Sequence, residues 1–364
     1  MPTNSRPASE IPSMLTPKQT VLGGIFGLQS TTAGKIGAVR KPPFANSPLT
    51  YFLSARCAIY SLCCTLKVQK SWLPSYLCPA VIEPFKKLGV AVRFYDSDPE
   101  KDAPDARLAK SVGPSDLVLA IHYFGFANRT FPAKDVANRG AIIVEDASQA
   151  LFIAQQYPES FCTVYSPRKF LGVPDGGVLA YSPGVPFMSQ PLSSPPEDWS
   201  SKALAAAEMR RDFDLQLVAE NRWFALFREV EESFPVGLYG CSDVTRNLID
   251  TGTDYDHIRC TRRANYRELS TRLEEFALFP WLDDDTVPLG FPVRVRAEVR
   301  QTVLESLYAK HIYPAVHWDL HGAVPAVHQS SHLLSKSILT LICDQRYTTY
   351  DMARQADAFL SAIA

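Results

Sequence analysis

A lysine and two acidic residues stand at the ends of neighbouring predicted strands near the middle of the chain. Glu145 and Asp146 close one apolar strand, and Lys169 follows the next strand, 23 residues after Asp146 (169 − 146). The carboxyl ends of parallel strands meet at one edge of a sheet, where ligands bind. A lysine amine at such an edge can attack an aldehyde, and a nearby carboxylate can keep a ring nitrogen protonated.

Taken singly, these residues have ordinary structural interpretations. Glu145 and Asp146 could begin the following helix, since acidic side chains favour a helix N-terminus, and a lone lysine is most often a surface residue. The pairing favours another interpretation. A pyridoxal-phosphate enzyme needs a lysine for the Schiff base and an acid beside the pyridine nitrogen. It also needs a hydroxyl or a helix N-terminus for the phosphate, and Ser166 is placed for that role.

The strands and helices predicted around these residues alternate along the chain. Helical segments are predicted at 57–66 and 79–88. Short apolar runs predict strands at 90–95, 117–122, 141–145, 162–166 and 177–181. Such alternation indicates an α/β domain with a mostly parallel central sheet covered on both faces.

The second half of the chain is predicted to be helical at first and mixed towards its end. Segments without Gly or Pro predict helices at 203–234 and 260–279. They are followed by a strand, a helix, two strands and a closing helix, predicted at 291–295, 296–310, near 312–317, near 338–342 and near 349–364. We therefore expect an N-terminal arm, a large α/β domain and a smaller C-terminal α+β domain, over residues 1–47, 48–240 and 241–364.

Composition argues against several classes of function. Lys and Arg total 37 and Asp and Glu total 38, so the net charge is −1 and no strong field would hold nucleic acid. No apolar run approaches the roughly 18 residues of a membrane span, and the polar first twenty residues do not resemble a signal peptide. The eight cysteines form no C-x-x-C pair, which favours reduced thiols in a cytoplasmic protein.

Other site motifs are incomplete. Segment 33–36 resembles the end of a phosphate-binding P-loop, but Gln29 stands at the first glycine position and Ile36 at the Ser/Thr position. Two histidine pairs have helical i, i+4 spacing without the glutamate of an H-E-x-x-H motif, namely His317 with His321 and His328 with His332. No metal site is predicted, and these histidines are candidates for the mouth of a substrate pocket.

Several short motifs together carry a family resemblance that runs from about residue 23 to the C-terminus. They are P-S-Y at 74–76, H-Y-F-G at 122–125, E-D-A-S-Q at 145–149, Lys169 seven and eight residues before Gly176 and Gly177, and R-R-A-N-Y at 262–266. The combination resembles the DegT/DnrJ/StrS sugar aminotransferases, which are fold-type-I, aspartate-aminotransferase-like pyridoxal-phosphate enzymes.

The resemblance implies roles for the residues at the strand ends. Lys169 would hold pyridoxal 5'-phosphate as an internal aldimine and would move the substrate proton. Asp146 would pair with the pyridine nitrogen, and Gln149 would hydrogen-bond near the 3-hydroxyl of the cofactor.

The resemblance also implies where the cofactor phosphate binds. Ser166 would contact it, together with the backbone amides of Ala55 and Arg56, since S-A-R at 54–56 matches the S-G-T loop of the family. A helix is predicted to start directly after this loop. Its N-terminus would attract an anion, which independently supports the assignment.

Three positions depart from the family pattern. Ser166 lies three residues before Lys169, where five is commoner. Cys78 stands where an aromatic residue often stacks on the cofactor ring, so Tyr76 and His122 are alternatives for that contact, or are simply packed in the core. Segment 239–242 occupies the place of the G-Y-N-Y-R segment that usually reaches the partner subunit's phosphate.

The sequence therefore predicts a pyridoxal-phosphate aminotransferase that converts a keto sugar, nucleotide-linked, to an amino sugar with a glutamate-like amino donor. The family implies a homodimer, and the composition predicts a cytoplasmic protein with no nucleic-acid or membrane partner. One alternative is a pyridoxal-phosphate enzyme of another reaction type, as in dehydratase relatives whose lysine is replaced by histidine, although Lys169 argues against it. Another is a catalytically silent relative that binds a sugar nucleotide or a partner protein.

Overall fold

The computed structural model describes residues 20–30, 41–100, 106–185, 190–218 and 221–363. The P-loop-like segment 33–36 lies outside these ranges, as does most of the predicted arm. Across the ranges described, no helix is both long and apolar enough to cross a lipid bilayer.

Strands and helices alternate through the first half of the described chain, as the sequence pattern predicts. The strands are β1 (Leu22–Gly23), β2 (Leu49–Phe52), β3 (Lys70–Pro74), β4 (Ala91–Tyr95), β5 (Leu117–Ile121), β6 (Ile142–Ala147), β7 (Cys162–Tyr165), β8 (Gly177–Tyr181), β9 (Phe291–Arg294), β10 (Ile312–Tyr313) and β11 (Ile338–Leu341). The helices are α1 (Ala55–Leu66), α2 (Glu83–Lys87), α3 (Ala106–Ser111), α4 (Ala133–Ala137), α5 (Glu197–Asp214), α6 (Arg222–Glu232), α7 (Asp243–Asp250), α8 (Tyr255–Leu273), α9 (Arg300–Ala309), α10 (Gln329–Ser337) and α11 (Thr349–Ile363).

A seven-stranded sheet forms the centre of the large domain, in the order β2-β8-β7-β6-β5-β3-β4. The pairs from β4 to β7 are parallel, whereas β8 runs antiparallel to both of its neighbours. Strands β5, β7 and β8 are buried along their whole length, because helices cover both faces of the sheet. The predicted α/β architecture with a mostly parallel sheet is confirmed.

Helix α1 begins beside the sheet edge that carries the candidate site. The Ser54 hydroxyl accepts a hydrogen bond from the backbone N–H of Cys57 at 3.2 Å, which caps the helix. The buried side of α1 includes Cys57, Ile59 and Leu62, which join the main hydrophobic core. The cap and this apolar face together fix where the first N–H groups of α1 point.

The C-terminal region combines helices with two small sheets. Strands β9 and β11 pair antiparallel, and β10 pairs parallel with β1 from the predicted arm. Leu22 in β1 is fully buried, so this part of the arm belongs to the packed structure. The domain limits at residues 47 and 240 stay a prediction.

The single helix predicted at 203–234 is wrong, because two helices, α5 and α6, occupy that region. Gln216 adopts φ +59° after the end of α5. The N–H of Leu217 bonds to Asp212 O at 2.9 Å and that of Gln216 to Phe213 O at 3.0 Å, which is a Schellman-type helix end. This ending usually uses glycine, so a segment without Gly or Pro gave no sign of it.

Other predicted boundaries are corrected by local capping and by pairing. Helix α8 starts at Tyr255 rather than 260, because the Asp254 carboxylate caps it by accepting from His257 N at 3.0 Å, and it ends at Leu273. Helix α9 starts at Arg300 rather than 296, and β10 spans only Ile312–Tyr313. The elements for which no range was predicted are strands β1, β2 and β3 and helices α3, α4, α7 and α10.

Candidate active site

A cavity of about 170 Å³ lies at the carboxyl edge of β6 and β7. All six residues predicted for the site line it: Ala55, Arg56, Asp146, Gln149, Ser166 and Lys169. Its other walls come from the start of α1, the turn at 78–81, the end of β5 and the C-terminal region. The structure therefore brings the predicted residues together, although they come from three separate parts of the sequence.

The register of the sheet explains why Asp146 and Lys169 share this edge. Asp146 pairs with Ile121 of β5 on one side and with Val164 of β7 on the other. One residue after β7 the chain enters a short 3₁₀ turn, Pro167–Lys169, in which Lys169 N donates to Ser166 O at 3.2 Å. Lys169 therefore returns to the strand end at which Asp146 lies.

Glu145 and Asp146 have different surroundings, because successive side chains of a strand point to opposite faces. Glu145 is fully buried and accepts hydrogen bonds from the backbone N–H groups of Gln156 and Tyr157 and from the Ser160 hydroxyl. Its Oε2 also lies 2.8 Å from Nε2 of His122. Both acids belong to β6, so the alternative that they begin a helix is wrong. Glu145 is a structural residue.

Asp146 and Gln149 present polar atoms to the cavity. Asp146 is 3% exposed, and its Oδ1 accepts from Ser148 N at 2.8 Å. Gln149 is 2% exposed, and its Oε1 accepts from Phe124 N at 3.0 Å. The Nε2 of Gln149 is buried with no partner among the residues described. A buried unpaired donor is costly, so a ligand oxygen in the cavity would stabilise it.

The Lys169 side chain is half-buried, and its amine has neither a hydrogen bond nor an ion pair to any residue in the described ranges. The positive charge of Lys169 acts on the neighbouring His317. Burial, and then the positive charge of Lys169, lower the pKa of His317 to about 3. At neutral pH His317 is therefore uncharged, and it does not compete with Lys169 for an acidic partner. The Lys169 amine therefore has an uncharged neighbour in His317 and no bonded partner among the described residues.

The other end of the cavity suits an anion. The backbone N–H groups of Ala55 and Arg56 lie in the first turn of α1, where the helix itself supplies no acceptor for them, although Ser54 just before them bridges to Gly176, and that turn holds no acidic side chain. Gly177 lets the chain approach this turn, since a Cβ there would lie 2.1 Å from the carbonyl carbon of Ser54. Free N–H groups and the helix dipole favour a phosphate at this position.

Tyr76, Cys78 and His122 were the three residues considered for the contact with the cofactor ring. Only Cys78, which is not aromatic, lines the cavity. Tyr76 is fully buried, with its hydroxyl donating to His317 O at 2.5 Å. His122 is also fully buried, and it bonds to Glu145 and to the backbone N–H of Asn128. The aromatic ring that does line the cavity is Trp318, which the sequence analysis missed because it comes from the distant C-terminal region.

The remaining histidines do not form a metal site, because no group of three potential metal ligands occurs within the ranges described. His328 Nδ1 lies 2.6 Å from Asp96 Oδ1, and His317 Nδ1 lies 2.8 Å from the Thr340 hydroxyl. None of the four histidines lines the Lys169 cavity.

Segment 239–242, where a partner-reaching motif was expected, lies against the large domain of its own chain. Leu53 N donates to Tyr239 O at 3.0 Å, and Gly240 bridges to Phe52 of β2. The backbone N–H of Ser242 donates to Asp175 Oδ1 at 3.1 Å, and its hydroxyl caps α7. The segment carries no Lys or Arg.

The cavity therefore has the donors and acceptors that pyridoxal phosphate needs. It holds a free lysine amine, a buried carboxylate, an unpaired buried amide donor and an open helix N-terminus, all lining one space. These features fit an aldehyde, a ring nitrogen, a ring oxygen and a phosphate, respectively.

Comparison with known proteins places the fold. No family model and no curated protein matches the sequence. Among solved structures, a proposed sugar aminotransferase of Streptococcus pneumoniae in its PLP form is similar, with a TM-score of 0.64 and 12% identity over 93% of this chain and 97% of that one. DesI, solved in the presence of its TDP-sugar product, has a TM-score of 0.62 and 16% identity over 88% of this chain and 82% of its own.

A third similar structure is PseC of Helicobacter pylori, an aminotransferase involved in the biosynthesis of pseudoaminic acid. Its TM-score is 0.62, with 12% identity over 88% of each chain. The three matches extend over nearly the whole of both partners. They confirm the predicted fold class, a fold-type-I α/β fold with a smaller C-terminal region.

Proposed function

We propose that this protein is a pyridoxal-phosphate-dependent aminotransferase that converts a keto sugar to an amino sugar. The observation that carries the proposal is the convergence of Lys169, Asp146, Gln149 and the α1 N-terminus on one cavity. The fold supports it, because the similar structures include sugar aminotransferases. The lysine also argues against a dehydratase, as the family resemblance implies.

The cavity residues predicted from the sequence would divide the work of holding the cofactor among them. The α1 amides of Ala55 and Arg56 and the Ser166 hydroxyl would bind the phosphate. Asp146 would hold the positive charge of the protonated ring nitrogen, and the free Nε2 of Gln149 would donate to the ring oxygen. When bound, pyridoxal phosphate supplies an aldehyde and an electron-withdrawing ring that stabilises negative charge on the amine-bearing carbon.

The chain's own part in the reaction is proton transfer in a sheltered space. Lys169 Nζ would accept the proton that the amino donor loses from its amine-bearing carbon. In the second half-reaction it would deliver a proton to the carbon that becomes aminated. Apolar side chains of Val81 and Ile121 line the cavity with Trp318 and limit the entry of water. Asp146 and Gln149 fix the orientation in which Lys169 meets the reacting carbon.

We further propose that the keto sugar is nucleotide-linked, that the amino donor is glutamate-like, and that the enzyme is a cytoplasmic homodimer. The TDP-sugar product named with DesI supports the first of these. The family resemblance supports the amino donor and the homodimer, and the composition supports the cytoplasmic location.

Transamination can be tested as a half-reaction. Protein loaded with pyridoxal phosphate is mixed with L-glutamate, and we expect the yellow absorbance to disappear while a stoichiometric amount of 2-oxoglutarate forms. A nucleotide-linked keto sugar should then restore the colour. The Lys169→Ala variant serves as the control and should show neither change. A loaded protein whose absorbance no amino donor alters would instead favour the silent relative.

A further inference from the structure

Two arginines from different elements contact one aromatic ring beside the Lys169 cavity. The Cζ atom of Arg56, in α1, lies 4.3 Å from the centre of the Phe234 ring, and that of Arg168 lies 5.0 Å from it. Both arginines line the cavity together with Ser166 and Lys169. Guanidinium groups stack well on aromatic faces, so Phe234 restricts both side chains to this position.

Each arginine is also held by one glutamate. Arg56 Nη1 bonds to Glu83 Oε2 at 2.8 Å, and Arg168 Nη2 bonds to Glu231 Oε1. Neither guanidinium makes another hydrogen bond to a residue in the described part of the chain. Because a guanidinium has five N–H donors, each arginine keeps donors for a second acceptor. The ion pairs orient the two groups without using up their capacity.

These side chains lie where the backbone already favours an anion. The first N–H groups of α1 belong to Ala55 and Arg56, and Ser166 and Arg168 flank Pro167 on the opposite wall. All of these donors belong to one chain. Segment 239–242, by contrast, contributes no positive charge.

We propose that Arg168 and Arg56, oriented by Phe234, bind the phosphate of the cofactor through the guanidinium N–H donors that their ion pairs with Glu231 and Glu83 leave free. The inference rests on the proposed function and goes beyond the backbone amides and hydroxyl assigned from the sequence. It adds Arg168 and Phe234 to the site and gives Arg56 a side-chain role.

The test compares two ligands that differ only in the phosphate. Apparent dissociation constants for pyridoxal phosphate and for pyridoxal are measured by absorbance titration of the full-length protein. We expect Arg168→Met to weaken pyridoxal phosphate binding by about tenfold or more, the effect of losing a hydrogen bond to a charged group, and to change pyridoxal binding by less than about twofold. Arg56→Met should behave alike, and Arg168→Lys should restore part of the affinity.

Arg246→Met is a matched control. Arg246 also lies over an aromatic ring, Tyr51 at 5.1 Å, and pairs with an acid, Asp250 at 3.7 Å, but it does not line the cavity. Its replacement should leave both affinities unchanged.

The proposal is overturned if Arg168→Met weakens both ligands equally, or neither of them. Weaker binding of a nucleoside diphosphate alone would also overturn it, because the arginine would then serve the substrate. Should the Met variant misfold, Arg168→Lys decides, since only a contact with the phosphate makes this variant lose more affinity for pyridoxal phosphate than for pyridoxal, relative to the wild type. If neither ligand attaches to the wild-type protein, the proposed function itself fails.

Discussion

Adjacent acids on β6 should respond in opposite ways to mutation. Replacing Glu145 with alanine removes the acceptor for four donors, which lie 2.6 to 3.1 Å from its oxygens. Three of them belong to buried residues, namely His122, Tyr157 and Ser160, and the fourth is the backbone N–H of Gln156. A buried donor left unpaired costs about 1–3 kcal/mol, so we expect a loss of about 4 kcal/mol or more in the free energy of unfolding. Since domains are typically stable by about 5–15 kcal/mol, this is a large fraction of the total.

Asp146 has a smaller structural role. The only hydrogen bond of its side chain to a described residue is from Ser148 N at 2.8 Å, and an asparagine oxygen can accept the same bond. Asp146→Asn should therefore change the free energy of unfolding by about 1 kcal/mol or less. It should nevertheless alter the absorbance of the bound cofactor, because a neutral amide cannot hold the charge of a protonated ring nitrogen.

Urea denaturation followed by circular dichroism measures the first effect, and cofactor titration measures the second. If Glu145→Ala unfolds at the same urea concentration as the wild type, Glu145 does not have the structural role assigned to it. The contrast between the two acids is refuted if Asp146→Asn is as unstable as Glu145→Ala while its bound cofactor absorbs like that of the wild type.

Three further changes test other parts of the site. Gly177→Ala places a Cβ 2.1 Å from backbone, so we expect a loss of about 1–3 kcal/mol in urea denaturation and weaker binding of pyridoxal phosphate. Gly113→Ala is the control, because a Cβ there would meet the Asp116 carboxylate at an ordinary contact distance of 3.7 Å, and equal behaviour of the two variants would contradict the close approach at Gly177. Gln149→Glu keeps an oxygen that can accept from Phe124 N but removes the unpaired Nε2 donor. Titrations should therefore show weaker binding of both pyridoxal and pyridoxal phosphate. Unchanged affinity would exclude a contact between Gln149 Nε2 and the cofactor. The pKa of His317 is about 3 in the folded protein, against an ordinary value of 6.5. As the pH falls below about 6.5, this histidine takes up a proton in the unfolded chain before it does so in the folded protein. The free energy of unfolding should therefore decrease between pH 6.5 and 3. His317→Gln should reduce that decrease in urea midpoint, and an identical pH dependence would contradict the burial of His317.

The catalytic part of the site could be predicted because its chemistry lies at the ends of buried strands. Asp146 is the second-last residue of β6 and Lys169 follows β7. Both strands are apolar runs, and the alternating pattern of strands and helices predicts that they pair in parallel. Once the pairing is right, the positions of both side chains follow from the geometry of a parallel sheet. The spacing of three residues between Ser166 and Lys169 corresponds to a short 3₁₀ turn.

The surrounding walls could not be predicted, because they come from segments that are distant in sequence. Trp318 and Phe234 reach the cavity region only through packing of the C-terminal region and of the chain after α6, which no local pattern records. Tyr76 and His122 are close in sequence to residues that line the cavity. Both side chains are nevertheless buried in the core, where they are hydrogen-bonded. Likewise, Gln216 ends α5 in a left-handed conformation for which glycine would have been the local signal.

The most direct test of the central claim is to locate the covalent bond between cofactor and protein. The full-length protein is incubated with pyridoxal phosphate, reduced with borohydride, digested and analysed by mass spectrometry. We expect a yellow protein and a single pyridoxyl-phosphate adduct, on the peptide that contains Lys169, and we expect the adduct to disappear in Lys169→Ala. A colourless protein with no adduct, or an adduct on other lysines at equal yield, would contradict the claim.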